Sequence, residues 1–150
     1  MLFQRINRSN PEKIFIVAYN SSATAMTNGQ AVNWDFITDI DGVGVVRPLA
    51  RATNAGVAVA GIVAETIAVS GYGLIQVYGY HAATRCRSIT AGAPNIAAGR
   101  PLALNSAGSL YCLESIATGS TVIQVAPCAF ALEASAVWTT AAIKVFIKAL

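Results

Sequence analysis

The sequence predicts an all-β fold: a single compact β-barrel- or β-tulip-like domain of short antiparallel strands, with room for one short helix. Three observations predict it. Apolar runs are short and rich in Val, Ile, Ala and Tyr. They are broken about every ten residues by Gly, Asn, Asp or Pro, the punctuation of an all-β chain. Two of the runs also alternate with a period of two, which sends successive side chains to opposite faces of a sheet.

Taken in order, residues 14–19 are a continuous apolar run, as expected for a strand buried on both faces. Thr27-Asn28-Gly29-Gln30 follows as a hairpin signal, because Asn-Gly accepts the positive φ of a tight type I′ turn. Residues 31–36 form the returning strand. Asp41-Gly42 repeats the device before a strand at 43–46, which Pro48 ends by removing a ladder donor. In residues 73–81, Leu74, Gln76, Tyr78 and Tyr80 alternate with Ile75, Val77 and Gly79. Near the end, Ile143, Val145 and Ile147 alternate with Lys144, Phe146 and Lys148, so this strand has one wet or partner-facing side. Residues 129–138 carry alanines behind Pro127 and would suit a short helix. Their likeness to an earlier segment favours a strand.

That likeness belongs to a weak internal repeat. Arg47-Pro48-Leu49-Ala50 recurs as Arg100-Pro101-Leu102-Ala103. At a different offset, Glu65 pairs with Glu133, Ile75 with Ile143, Val77 with Val145 and Tyr78 with Phe146. The unequal offsets imply an insertion in the second copy around residues 109–122. Ile123-Gln124-Val125 also matches Ile75-Gln76-Val77, so the register is ambiguous.

The chain has 150 residues, 55% of them apolar, and its ten basic and seven acidic side chains make only 11% charged. An ordinary soluble domain carries roughly 25%. Disorder is excluded, since it needs low hydrophobicity and high net charge. The mean hydropathy of +0.55 invites a membrane reading. The long uncharged windows do not support it: residues 66–84 contain Gly71, Gly73, Gly79, Gln76 and His81, and residues 115–132 are cut by Gly119, Gln124 and Pro127. Neither approaches the ~20 apolar residues of a spanning helix. The opening stretch has charge where a signal peptide needs its apolar region, so use without secretion is expected. The net charge of +3 is dispersed, with no basic stripe interleaved with aromatics, and nucleic-acid binding is not expected. A surface this poor in charge is expected to be covered by other subunits.

Chemistry-bearing residues are few. His81 is the only imidazole, and no Gly-x-Ser-x-Gly or nucleophilic cysteine context accompanies it, so it reads as a strand-end or interface histidine. Cys86, Cys112 and Cys128 lack zinc spacing and read as small buried hydrophobes in a reducing compartment; one pair could bridge, and the spacing does not decide which. Asp35, Asp39 and Asp41 flank a turn without the ligand set of a calcium loop. The Gly-x-Gly triplets at 42–44 and 71–73 lack the third glycine and following helix of a phosphate cradle. No enzyme activity, cofactor or metal site is expected.

Several landmarks, in this order, resemble head-decoration or cement proteins of tailed bacteriophages. They begin with Ile14-Phe15-Ile16-Val17-Ala18-Tyr19-Asn20-Ser21-Ser22 and Thr27-Asn28-Gly29-Gln30-Ala31-Val32-Asn33-Trp34-Asp35. They continue through residues 57–62, Gly71-Tyr72-Gly73-Leu74-Ile75-Gln76-Val77-Tyr78-Gly79, Thr90-Ala91-Gly92 and Pro101-Leu102-Ala103-Leu104-Asn105-Ser106-Ala107-Gly108. These are motifs of turns and strands, and no residue of fixed function is carried across with them. The resemblance implies a homotrimer made in the host cytoplasm that binds the outside of the capsid in the virion. There it would join neighbouring capsomers of the major capsid protein against internal DNA pressure.

Within that frame, residues 1–13 are expected to form an N-terminal arm, and residues 14–150 the β decoration domain. Leu2, Phe3 and Ile6 would be the arm's apolar anchors and Arg5 and Arg8 its basic contacts, ordering on a neighbouring subunit or on the capsid. An ordinary frayed terminus is the alternative. A second class of function, a phage tail- or fibre-associated module that binds a host glycan, would use Trp34, Trp138 and the Tyr72/Tyr78/Tyr80 group as stacking surfaces.

Overall fold

The computed structural model describes residues 12–39, 42–48, 59–87, 96–104, 113–115, 127–135 and 140–149. The described residues contain nine strands: β1 (Lys13–Asn20), β2 (Ala31–Trp34), β3 (Gly44–Val46), β4 (Val59–Val63), β5 (Tyr72–Arg87), β6 (Pro101–Leu104), β7 (Leu113–Ser115), β8 (Ala129–Ala131) and β9 (Ala141–Lys148). All belong to one sheet in the order β1-β3-β2-β4-β5-β7-β6-β8-β9, with further pairings of β1 to β5 and β5 to β9. Those two pairings close the sheet into two barrel-like rings of five strands. Ring 1 is β1-β3-β2-β4 with the first half of β5, and ring 2 is the second half of β5 with β7-β6-β8-β9.

All pairings are antiparallel except β1 with β3 and β5 with β7. The all-β expectation stands, and among the described residues there is no helix; residues 129–131 are a strand.

The internal repeat is a repeat of this ring, with a period of about seventy residues. The isolated bridge Met26–Ile67 recurs as Ile96–Ser135. The pair Ala31–Ile62 recurs as Pro101–Phe130, and Val63–Ile75 as Ala131–Val145. Backbone bonds recur too. Gly29 N–H donates to Val63 O at 2.9 Å, and Gly99 N–H to Ala131 O at 2.7 Å. Val63 N–H donates to Gln30 O at 2.8 Å, and Ala131 N–H to Arg100 O at 2.9 Å. Even a side chain is kept, for Glu65 Oε1 accepts from Leu74 N–H at 3.0 Å as Glu133 Oε1 does from Lys144 N–H at 2.8 Å.

The structure therefore retains the Glu65/Glu133 match and corrects the others. Ile75 corresponds to Val145 and Val77 to Ile147. The Arg-Pro-Leu-Ala likeness has no structural meaning, because Arg47-Pro48 leaves β3 whereas Arg100-Pro101 enters β6. Ile123-Gln124-Val125 lies outside the described residues.

Three further expectations change. The Asn28-Gly29 turn does not join a hairpin, because β2 pairs with β3 and β4 and not with β1. Only Gly29 takes a positive φ there, at 82°, so the turn is not of the type I′ form. Residues 14–19 are not buried on both faces either: Ala18 points into the ring, while Phe15 and Val17 face outward and are exposed.

Two apolar cores result. Ring 1 is filled by Ala18, Met26, Val32, Val45, Ala60, Val63, Ile67, Ile75 and Val77. Ring 2 is filled by Ile96, Leu102, Cys128, Ala131, Val145 and Ile147 with their neighbours. Ala31 and Ile62, from the outer face of β2 and β4, also belong to the ring 2 core, so ring 1 docks on ring 2 through them.

Gly29 lies at that junction, where its carbonyl accepts from Arg85 N–H at 2.9 Å. A Cβ on Gly29 would lie 2.3 Å from the Ala83 carbonyl oxygen, whereas its counterpart Gly99, with the same φ of 82°, has nothing within 4 Å. The pair is an internal control. Gly99→Ala should cost about 1–2 kcal/mol for left-handed backbone, and Gly29→Ala about 2 kcal/mol more because backbone must also move. Denaturant unfolding of the two variants checks this, and equal losses would count against the junction.

Candidate interaction surface

One end of ring 1 is apolar on the outside. It is formed where β1 ends, β2 ends, β3 begins and β5 begins, and three backbone bonds tie these points together. Tyr19 N–H donates to Val43 O at 2.7 Å, Asn20 N–H to Gly71 O at 2.9 Å, and Asp35 N–H to Gly44 O at 2.9 Å. Phe36, Ile37, Val43, Val69 and Tyr72 are all exposed there, Phe36 at 66% and Ile37 at 87%. Val17 and Leu74, directly opposed across β1 and β5, extend the apolar surface along the side of the ring.

Buried polar groups hold this end in shape. The Asn20 side chain donates through Nδ2 to the carbonyls of Thr24 at 3.0 Å and Ala68 at 3.1 Å, while its Oδ1 accepts from Ser22 N–H at 2.9 Å. Asp35 builds the Phe36-Ile37 turn. Its Oδ1 accepts from the N–H groups of Ile37 and Thr38, each at 3.1 Å, and its Oδ2 from the Thr38 hydroxyl. Burial alone would push the Asp35 carboxyl up, but hydrogen bonds from Thr38, Ile37 and Ser21 outweigh it and hold the group below the usual carboxylate range. A buried carboxylate thus supports an exposed apolar tip.

The residues singled out from the sequence fall in different places. Leu2, Phe3, Arg5, Ile6 and Arg8 of the arm lie outside the described residues, as do Asp41, Cys112 and Trp138; Lys13 is the first residue of β1. Among the aromatics, Trp34 packs partly buried on the ring 1 core. Tyr78 meets Phe146 edge to face at 5.1 Å, and Lys13 Nζ sits 5.7 Å from the Tyr80 ring centroid. Tyr72 is exposed but leans on Tyr19, with 5.2 Å between ring centroids. These aromatics do not converge on one stacking platform.

His81 is buried in β5, where Nδ1 accepts from the Thr84 hydroxyl at 2.9 Å and from Ala83 N–H at 3.3 Å. Its proton therefore sits on Nε2. Cys86 and Cys128 are buried, and burial pushes the Cys128 thiol up to about 12. The Phe36-Ile37 tip escaped sequence reading because two apolar residues at a strand end look like strand. The signal that could have found it is Asp35-x-x-Thr38, the pattern of an Asx-type turn.

No protein-family model matches the chain, and no curated protein matches it. Among solved structures, the N base of the head fiber gp8.5 of bacteriophage phi29 is similar, with a TM-score of 0.51 and 10% sequence identity. The match covers 92% of this chain and 96% of that chain, so both rings take part. The likeness is one of fold.

His81 gives this framework a pH dependence. Burial first, and then the charge of Lys13, lowers its pKa. The folded state resists protonation, so its stability is full above the ordinary imidazole value of about 6.5 and declines as pH falls toward the lowered folded value. His81→Gln, which keeps an acceptor for Thr84, should flatten unfolding free energy against pH in that window. A slope unchanged by the substitution would assign it elsewhere.

Proposed function

We propose that this chain is a structural protein of a bacteriophage head that binds the outside of the capsid as a homotrimer and holds neighbouring capsomers together against internal pressure. The observation that carries the reading is the fold likeness to a head fiber base across nearly all of both chains. The surface supports it physically. Stable protein interfaces bury ~1,200–2,000 Å² and are centred on well-packed apolar anchors. Phe36 and Ile37, raised on a turn that a buried carboxylate fixes, are anchors already ordered before binding. Preordering lowers the entropic cost of association. Major capsid protein is the partner, the outer surface of the virion head is the location, and neither nucleic acid, membrane nor cofactor is required.

Purified protein added to heads that lack it should bind saturably, and should raise the temperature at which the heads release DNA. Replacing both Phe36 and Ile37 by Asp, at positions that are mostly exposed in the chain itself, should weaken that binding ~10-fold or more. Absence of saturable binding, or imaging that finds the protein away from the head surface, would overturn the reading.

A further inference from the structure

The two rings share one backbone plan, so a residue that one ring carries and the other lacks marks something the plan itself does not need. His81 is such a residue. It stands opposite Val145, whose ring 1 counterpart is Ile75, and Ile75 stands opposite Ile16. Two residues back along the partner strands, Thr84 stands opposite Ile143 as Ala18 stands opposite Gly73. Ring 1 thus closes with Ile16 and Ala18, and Val17 alone lies between them. Ring 2 closes with His81 and Thr84 and holds Ala82 and Ala83 in that interval, so β5 bulges against β9 by one residue.

That bulge is where ring 1 is seated. The Gly29 turn lies against it so closely that a Cβ on Gly29 would collide with the Ala83 carbonyl oxygen, and Arg85 N–H donates to Gly29 O at 2.9 Å. The buried His81 side chain holds the bulge from within β5, since Nδ1 accepts from Ala83 N–H at 3.3 Å and from the Thr84 hydroxyl at 2.9 Å. Ala83 therefore presents its N–H to the imidazole and its carbonyl to the docked turn.

We infer that His81 is an acid-released latch between the rings: as a neutral imidazole it holds the bulge that seats the Gly29 turn, and on taking a proton at Nδ1 it releases that seat. The Thr84 hydroxyl can rotate to accept from the new N–H, but Ala83 N–H is only a donor. Two N–H groups then point at each other, and Ala83 must turn away together with the carbonyl on which Gly29 packs. Among the described residues no carboxylate offsets the new charge. Lys13 of β1 is the charge that bears on the ring, and Glu12 beside it is exposed. Glu133 is engaged with Lys144 of β9. The Gly29 turn, Thr27-Asn28-Gly29-Gln30, brings no titratable group, and β5 itself contributes Tyr80, Arg85 and Cys86. Burial and Lys13 both favour the neutral form, so the latch opens below the ordinary imidazole value of about 6.5 and not above it.

Backbone hydrogen exchange of the full chain between pH 8 and pH 5, corrected for the intrinsic pH dependence of exchange, tests this on the wild type alone. His81 is the chain's only histidine, and imidazole is the side chain that ordinarily titrates in this range. Protection of Arg85 N–H should fall as acid is added, approaching ~10-fold per pH unit below about 6.5, the slope of an opening linked to one proton. Met26 N–H, bonded to Ile67 O in ring 1, and Gly99 N–H, bonded to Ala131 O in ring 2, should keep their protection. In His81→Asn the side-chain oxygen stands about where Nδ1 stands and does not titrate, so Arg85 protection should stay level across the range. His81→Gln makes the same comparison if the Asn variant does not fold. Arg85 protection that ignores pH in the wild type, a loss shared equally by Met26 and Gly99, or a pH dependence that survives the substitution would each overturn the inference.

Discussion

A strand can serve two closed rings only if its backbone changes course between them, and the whole architecture depends on how β5 does so. The change falls at Gly79, whose φ of 96° lies in the left-handed region and whose missing Cβ leaves room for the Glu12 carbonyl, which a Cβ would approach to 1.9 Å. Gly79 pairs with Lys13 of β1 on one side and Ile147 of β9 on the other, so both rings close at this residue. The buried Gln76 side chain fixes the geometry, donating to Tyr78 O at 3.1 Å and Tyr80 O at 3.0 Å. Without a partner, each buried carbonyl would carry a desolvation penalty of about 1–3 kcal/mol. The single polar side chain therefore both fills and satisfies the turn between rings.

On either side of that point the same backbone has been filled differently. Gly73 in ring 1 lies against Ile67, leaving no room for a Cβ, and the corresponding positions in ring 2 hold Ile143 and Ser135. A large and a small residue have changed places, which conserves volume as a close-packed interior requires. Asn20, which clamps one end of ring 1 through its side chain, corresponds to Cys86, an apolar filler in ring 2. The interior is thus constrained in sum rather than residue by residue. That freedom is why the repeat is faint in sequence while its hydrogen bonds recur closely.

The strands themselves were legible because period two and turn residues are local. β5 and β9 follow the alternation read from Ile75 and Ile143, β1 lies on the apolar run read from Ile14, and Pro48 follows the end of β3 as expected. Pairing was not legible, since closure of a ring is set by which faces pack. Asn28-Gly29 has a hairpin's residues, yet it connects the Met26 bridge to β2 and serves the junction instead. Sheet edges are another surface on which chains pair. Closure removes them: every one of the nine described strands has a neighbour on both sides. Of the candidate site, the aromatics were visible but not their engagement, and Asp35 read only as an acid flanking a turn, its burial not being visible.

Closed rings also change what a low charge content means. Charged residues on a sheet protein do much of their work at edges, where they block pairing with other chains. Rings without edges can do without them, which suits a chain with ten basic and seven acidic side chains. Closure does not account for Ile37, however, which contributes almost nothing to either core. Nor does it account for a buried carboxylate spent on holding that residue out. Folding alone would favour a polar residue at the tip. The chain instead sets two apolar residues there, on a turn that the Asp35 carboxylate holds through the Ile37 and Thr38 N–H groups.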